Sequence, residues 1–188
     1  MSLNNLANLY SDLGDFKAAE PLYLRSINIA ENQGGLASQD QLVGLNNLAA
    51  LYSDQKRYHE AEPLLRLFLT HQREAYGSLH PHVAVALENL AEVRWQRGAV
   101  DEAENLYREA LAILEKVLAT EHPDVAYCLS SLAGLYFDQG RFAEAEPLYL
   151  RALVIQDARL PPDHPERRAT VEGLELLRRA VGESNRKR

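Results

Sequence analysis

Histidine most often binds metals or transfers protons near neutral pH, and its spacing here argues against both roles. His80, His122 and His164 lie 42 residues apart, and each precedes a proline. One position repeated along an array of units does not converge on one site, and no acidic or thiolate partner has ligand spacing. A repeated helix cap or turn residue is therefore favoured over a zinc site, and we expect no bound metal.

The spacing of the carboxylates and the single cysteine also argue against a catalytic or metal-binding site. Glu20, Glu62, Glu104 and Glu146 also recur every 42 residues, which indicates a structural place rather than a catalytic pair. Cys128 is the single cysteine, so it forms no internal disulfide or multi-thiolate metal site. It is predicted to be a buried structural thiol. With no glycine-rich phosphate loop and no Ser/His/Asp arrangement, we expect neither an enzyme nor a cofactor.

Composition narrows the class of protein further. The chain has 188 residues, 46% of them hydrophobic, and a formal net charge of −7. Without a basic patch of useful size, binding to nucleic acid or to an anionic membrane is not expected. No apolar run approaches the roughly 18 residues that a membrane span needs, and the N-terminus is not a signal peptide. These features predict a cytoplasmic protein.

An internal repeat of 42 residues organises the chain from Met1 to about Arg179 without an insertion or deletion. Such a period indicates a repeat architecture. It relates Asn5-Leu6-Ala7, Asn47-Leu48-Ala49, Asn89-Leu90-Ala91 and Ser131-Leu132-Ala133.

Each unit is predicted to contain two helices. In the second repeat, helical apolar spacing runs from about Asp40 to Gln55 and again from about Tyr58 to Tyr76. At the break between the helices, other units carry Gly14, Gly98 and Gly140, as expected of helix C-terminal caps. The predicted organisation is a single array with repeats at about 1–39, 40–81, 82–123 and 124–165, a capping helix at 166–181 and a polar tail at 182–188.

The two ends of this array are predicted to differ. The capping helix has an apolar stripe and a charged outer face, as a terminal repeat needs. Aligned by the period, the first helix should begin two or three residues before Met1. We therefore expect a fragment of a longer protein and possible self-association through the uncapped N-terminal end.

The repeated residues resemble the tetratricopeptide repeat, and the 42-residue period is similar to that of the kinesin-light-chain type. The resemblance covers nearly the whole chain. It implies an all-α, right-handed solenoid of antiparallel helix pairs, four repeats plus the capping helix, in which first helices line a concave groove. The fourth repeat carries the tetratricopeptide pattern as Leu132-Ala133, Tyr136, Gly140, Phe142, Ala145, Tyr149 and Ala152.

Helical geometry divides the first helices into a core arc and an opposite face. The core arc of the first one is predicted to hold Leu3, Leu6, Ala7, Leu9, Tyr10 and Leu13. The opposite face would line the groove, where asparagine can donate and accept hydrogen bonds to the backbone of an extended peptide. The predicted peptide-binding residues, including those at the margins of this face, are Asn4, Asn5, Asn8, Asn46, Asn47, Asn89, Glu92, Trp95, Tyr127, Ser131 and Phe137.

Two of these assignments have structural alternatives. A repeated asparagine can instead bond a neighbouring helix. Trp95, the only tryptophan, can anchor a ligand side chain or cover the edge of the core over Ala91.

The predicted function is a non-enzymatic scaffold that binds proteins or peptides in the concave groove. The alternative is a structural or oligomerisation module, or the sensor array of a larger signalling protein. The groove face carries no lysine or arginine, while acidic residues occupy groove and marginal positions, so charge complementarity favours a neutral or basic partner, with an apolar side chain near Trp95 and Phe137. The acidic residues at these positions are Asp12, Asp54, Glu88, Glu92 and Asp138.

Overall fold

A computed structural model of the chain describes residues 2–31 and 39–186. These residues form nine α-helices and no strand, which confirms the all-α helical-repeat fold. The helices are α1 (Leu3–Asp12), α2 (Phe16–Glu31), α3 (Gln39–Asp54), α4 (Tyr58–Tyr76), α5 (Pro81–Gln96), α6 (Val100–Val117), α7 (Pro123–Asp138), α8 (Phe142–Arg159) and α9 (Pro165–Arg186).

The helices group into two compact units, Met1–Ala99 and Val100–Arg188. In the first unit, each of α1 to α4 packs against the helix that follows it. In the second unit, α6 packs against α7, α7 against α8, and α8 against α9. The division falls between α5 and α6, inside the third repeat, so the single array remains a prediction.

Local signals at the helix ends match the sequence analysis. The Nδ1 atom of His80 accepts a hydrogen bond from the backbone N–H of His82, and His122 caps α7 through Asp124 in the same way, both at 3.2 Å. The predicted histidine caps are therefore confirmed at these two helices. After the first helices, Gly14, Gly98 and Gly140 have φ between +71° and +80°, while Lys56 takes φ +59° at the equivalent position.

Small and apolar side chains fill the core of each unit. Every alanine at the two most regular repeat positions is fully buried, which brings neighbouring helices close together. Cys128 is also buried, as predicted, and its Sγ lies 3.5 Å from the carbonyl oxygen of Tyr107. The alanines are Ala7, Ala49, Ala91 and Ala133 in first helices, and Ala19, Ala61, Ala103 and Ala145 in second helices.

The core arc predicted for α1 was partly wrong. Leu9 is 47% exposed and Leu13 is 72% exposed. The equivalent of Leu9 in the next repeat, Leu51, is 1% exposed. It lies on α3, which also packs against the preceding helix α2, whereas no helix precedes α1 among the described residues.

The last helix, α9, is longer than predicted and continues to Arg186 rather than Val181. Leu174 and Leu177 are buried, as the apolar stripe predicted. At Gly173, α9 approaches α8 so closely that a Cβ atom would lie 2.8 Å from the Tyr149 ring. The exposed charged face consists of Arg168, Glu172, Glu175, Arg178 and Arg179.

Within the described ranges, no helix combines the length and the apolar character required to cross a membrane.

Candidate functional site

Asparagine side chains connect neighbouring first helices in the first unit. The Nδ2 atom of Asn47 donates a 2.9 Å hydrogen bond to Oδ1 of Asn8, joining α3 to α1. One repeat later, Nδ2 of Asn89 donates to Oδ1 of Asn46 at 2.8 Å, joining α5 to α3. These asparagines therefore bond neighbouring helices, the alternative that the sequence analysis left open.

This bridging does not use the whole of each amide. All four asparagines are half-buried, and the bonds from Asn47 and Asn89 use their nitrogen atoms. Asn8 is held more firmly, because its Oδ1 also accepts a 2.5 Å hydrogen bond from the hydroxyl of Tyr23. The bonds restrain these side chains through their nitrogen atoms, and Asn47 and Asn89 remain half-buried rather than enclosed.

We call this surface the first-helix face, defined by Asn8, Val43, Asn47, Val85 and Asn89. Val85 is exposed and Val43 is half-buried, and the two occupy the same repeat position on α5 and α3. The asparagines lie one helical turn further along their helices. The face therefore alternates apolar contact area with amide groups.

The surroundings of the first-helix face are acidic. Asp12 and Asp54 are exposed near the ends of α1 and α3. Glu92 on α5 is half-buried, and its Oε1 accepts a 2.8 Å hydrogen bond from Gln96.

The remaining predicted site residues do not all join this face. Asn4 is buried, with 2% of its surface exposed, so it does not lie on the accessible part of this face. Its equivalent at Glu88 is buried too, whereas Asn46 at the same position of the second repeat is half-buried. Asn5 is exposed and Trp95 is half-buried.

Three predicted site residues belong to the second unit. Tyr127 is exposed on α7 and Ser131 is half-buried. Phe137 packs its ring against Phe142, with the ring centroids 5.6 Å apart. A combined site at Trp95 and Phe137 stays a prediction, since these residues lie in different units.

The repeated glutamates form a second set of contacts between repeats, which we call the glutamate clamp. Glu20 on α2 accepts hydrogen bonds from the hydroxyl of Tyr52 at 2.8 Å and from Nη1 of Arg57 at 2.9 Å. The Arg57 guanidinium lies over the Tyr52 ring, 4.1 Å from its centroid, and also pairs with Glu60. The structural place predicted for this glutamate is therefore confirmed.

The same clamp recurs 84 residues later, in the second unit. Glu104 accepts from Tyr136 at 2.9 Å and from Arg141 at 2.5 Å, and Arg141 lies over the Tyr136 ring and pairs with Glu144. Between these two copies, Glu62 pairs instead with Arg94 at 2.6 Å and with Arg97. These partners were not predicted, although the 84-residue offset of the Tyr, Arg and Glu positions in the sequence was a signal for them.

Electrostatics shows what the clamp does. The hydrogen bond from Arg57 lowers the pKa of Glu20 despite its partial burial. Burial, reinforced by the Glu20 carboxylate, raises the pKa of Tyr52 to about 12. Because both shifts preserve the charged carboxylate and the neutral phenol near pH 7, the clamp is a stable link between repeats.

Among residues 2–31 and 39–186, no three His, Cys, Asp or Glu side chains are grouped as metal ligands.

These contacts define a helical-repeat protein, in which the same positions connect successive repeats. The tetratricopeptide repeat profile matches residues 40–116 and 83–158, and a second profile of this repeat matches residues 1–32. The chain belongs to the tetratricopeptide repeat family. It is similar to proteins of the kinesin-light-chain type, and repeats of this kind typically have no enzymatic activity.

Solved structures support this assignment. A kinesin-light-chain-type protein from Podosopora anserina, with nearly identical TPR-like repeats, is 28% identical with a TM-score of 0.80, over 98% of this chain and 87% of that one. BtubC (BKLC) from P. vanneervenii is 25% identical with a TM-score of 0.83, over 96% of this chain and 72% of that one.

A more distant structure shares the fold alone. A Rap protein complexed with Competence and Sporulation Factor is 19% identical with a TM-score of 0.69, over 82% of this chain and 42% of that one. Comparison with curated proteins gives no significant match.

Proposed function

We propose that this protein is a binding scaffold whose first-helix face holds an extended, neutral or basic segment of a protein partner. The observation that carries the proposal is the pair of bridged asparagines, Asn47 and Asn89, which lie one repeat apart and are both half-buried. Their amide oxygens are suited to accept hydrogen bonds from the N–H groups of an extended backbone. Bridging reduces the side-chain entropy lost on binding.

Apolar contacts supply the second part of the interaction. Val43 and Val85 lie one turn before Asn47 and Asn89 on the same helices. Alternate side chains of an extended segment point to opposite sides, so one set can contact the valines while the backbone contacts the amides. Because the partner is held mainly through its backbone and a few small apolar contacts, we expect the face to discriminate only weakly between partner sequences.

The charge of the partner follows from the surroundings of the face. Asp12, Asp54 and Glu92 lie on or beside it, and a negative surface attracts basic segments and repels acidic ones. The test uses two fluorescein-labelled 12-residue probes, one alternating valine with lysine and the other valine with glutamate. Fluorescence anisotropy should show at least tenfold tighter binding of the lysine probe, with the difference shrinking as salt increases.

Site-directed variants test the location. We expect Asn47→Ala with Asn89→Ala to weaken lysine-probe binding about fivefold or more. Each substitution also removes a helix-bridging bond, worth about 1 kcal/mol, so binding must be measured where circular dichroism shows the variant folded. Asn105→Ala, an exposed asparagine on α6, is the matched control and should bind like the parent protein.

Two outcomes would contradict the proposal. Unchanged binding by the folded double variant would leave these asparagines with a bridging role alone. Equal or tighter binding of the glutamate probe would show the charge argument to be wrong.

A second candidate function is an oligomerisation module that associates through α1. The exposed side chains of Leu9 and Leu13 favour it, because an exposed apolar patch is typical of an interaction surface. If it is correct, Leu13→Glu should abolish self-association while leaving probe binding intact.

A further inference from the structure

The second helix of the fourth repeat, α8, exposes an apolar stripe on the side opposite its core-facing residues. Ala143, Pro147, Leu150, Val154 and Ala158 are all exposed, with Leu150 at 41% and Val154 at 71%. Their successive spacings of four, three, four and four residues keep them within one narrow arc of a helix. The stripe extends along most of an 18-residue helix about 27 Å long.

Comparison with α4 and α6 shows that the second helices of the two preceding repeats lack this stripe. The equivalent positions of α6 hold Asp101, Asn105, Arg108, Ala112 and Lys116, all exposed and only one of them apolar. On α4 they hold His59, Pro63, Arg66, Thr70 and Glu74. The repeat architecture therefore tolerates polar residues at these positions, and the stripe needs another explanation.

Charged residues beside the stripe are already paired. On one flank, Arg151 forms an ion pair with Glu115 at 2.5 Å. On the same flank, Glu144 pairs with Arg141. On the other flank, Asp157 pairs with Arg167 at 2.6 Å. A partner therefore meets apolar area bordered by neutralised ion pairs, and need not supply a compensating charge.

The order of residues along the stripe identifies the partner. If two copies of α8 lie antiparallel about a twofold axis near Leu150, Ala143 faces Ala158 of the other copy and Pro147 faces Val154. Small residues then meet at both ends, and the two Leu150 side chains meet at the centre. The antiparallel arrangement also brings opposite ends of the two helix dipoles together.

We propose that two copies of this protein form an isologous dimer through α8. Its self-complementary stripe satisfies the requirement that a twofold interface present the same patch from both subunits. Next to the stripe, an open depression of about 460 Å³ between α6 and α8 extends the apolar surface through Leu111, Ala112 and Leu148. This interface is distinct from the first-helix face, so failure of either proposal leaves the other intact.

The contact area sets the expected affinity. One helix pair about 27 Å long buries less than the roughly 1,600 Å² of a standard stable interface. We therefore expect a dissociation constant on the order of 10⁻⁵ to 10⁻⁴ M. Sedimentation velocity on the full chain at 5 to 500 µM should show a monomer converting to a dimer.

Charged substitutions test the location of the interface. Leu150→Glu with Val154→Glu should keep the protein monomeric throughout that range, with an unchanged helical circular dichroism spectrum because both side chains are exposed. Leu24→Glu is the matched control, since Leu24 occupies the same repeat position on α2 and is also 41% exposed. It should dimerise like the parent protein, whereas Leu13→Glu tests association through α1.

Cross-linking tests the register. Under mild oxidation, Leu150→Cys should form a covalent dimer, because position 150 lies beside the axis. Val154→Cys places its thiols about 10 Å apart along the helices and should cross-link much less. A monomer at every concentration, a dimer insensitive to the Leu150 and Val154 substitutions, or preferential cross-linking at position 154 would each overturn the proposal.

Discussion

The hydroxyl of Tyr52 donates a 2.8 Å hydrogen bond to Glu20, which lies 32 positions earlier in the chain. Tyr136 makes the equivalent bond to Glu104 at 2.9 Å, across the same separation. Each bond joins a second helix to the first helix of the next repeat. The glutamate clamp therefore stabilises the stacking of successive repeats, and its contribution is testable in solution.

Neutralising Glu104 should destabilise the protein in a pH-dependent way. Arg141 holds the pKa of Glu104 below its usual value of 4.5, so its stabilising effect is present above about pH 4.5 and is lost as pH falls through the folded-state pKa. Glu104→Gln should lower the free energy of unfolding by about 1–3 kcal/mol at pH 7, as expected for a hydrogen bond to a charged group.

Urea denaturation at several pH values measures this effect. The difference between Glu104→Gln and the parent protein should shrink towards acidic pH. Arg141→Met and the double variant complete a thermodynamic cycle that isolates the coupling between the two side chains. A difference that stays constant with pH would show that the carboxylate charge is not the source.

Adding a methyl group to Gly173 should destabilise the packing of α9 on α8. The new Cβ would lie 2.8 Å from Cζ and Oη of Tyr149, whose ring is buried. Overpacking typically costs about 1–3 kcal/mol, which exceeds the gain of roughly 1 kcal/mol from replacing a helical glycine by alanine. Chemical denaturation of Gly173→Ala should therefore show a net loss of about 1 kcal/mol.

Gly182→Ala is the control for Gly173→Ala. Among the described residues, no heavy atom outside the adjoining backbone of α9 lies within 4 Å of the added Cβ at this position, so α9 should gain stability from propensity alone. If Gly173→Ala were also stabilising, the spacing between α8 and α9 would have to adjust to the methyl group.

Replacing Lys56 by glycine should stabilise the second repeat. Lys56 has φ +59°, where the other first-helix turns carry Gly14, Gly98 and Gly140. A left-handed conformation costs an L-residue with a Cβ roughly 1–2 kcal/mol, partly offset by the greater unfolded-state entropy of glycine. We expect Lys56→Gly to raise the free energy of unfolding by about 0.5–1 kcal/mol.

The reverse substitution, Gly140→Lys, provides the matched comparison at the equivalent turn. Denaturant midpoints should move in opposite directions for the two variants. Equal midpoints for Lys56→Gly and the parent protein would mean that Lys56 is not strained in solution.

The sequence by itself determined where the helices lie and the turns that separate the two helices of a repeat. The helix predicted at about Tyr58 to Tyr76 has these bounds in the structure, and the predicted turn glycines and the caps at His80 and His122 are also found. These features depend on side chains a few positions apart, where the helix period and capping rules apply directly. The 42-residue period then repeated each local signal and reinforced it.

The tertiary structure decided which residues meet across repeats. Arg57 reaches Glu20 from 37 positions away, and Asn47 reaches Asn8 from 39. Neither separation equals the period, because each contact joins different positions on adjacent repeats. The sequence placed Leu9 in the core and Asn4 at the margin of the exposed face, whereas Leu9 is 47% exposed and Asn4 is buried. A helix period assigns a residue to an arc, whereas burial depends on which neighbouring helix covers that arc.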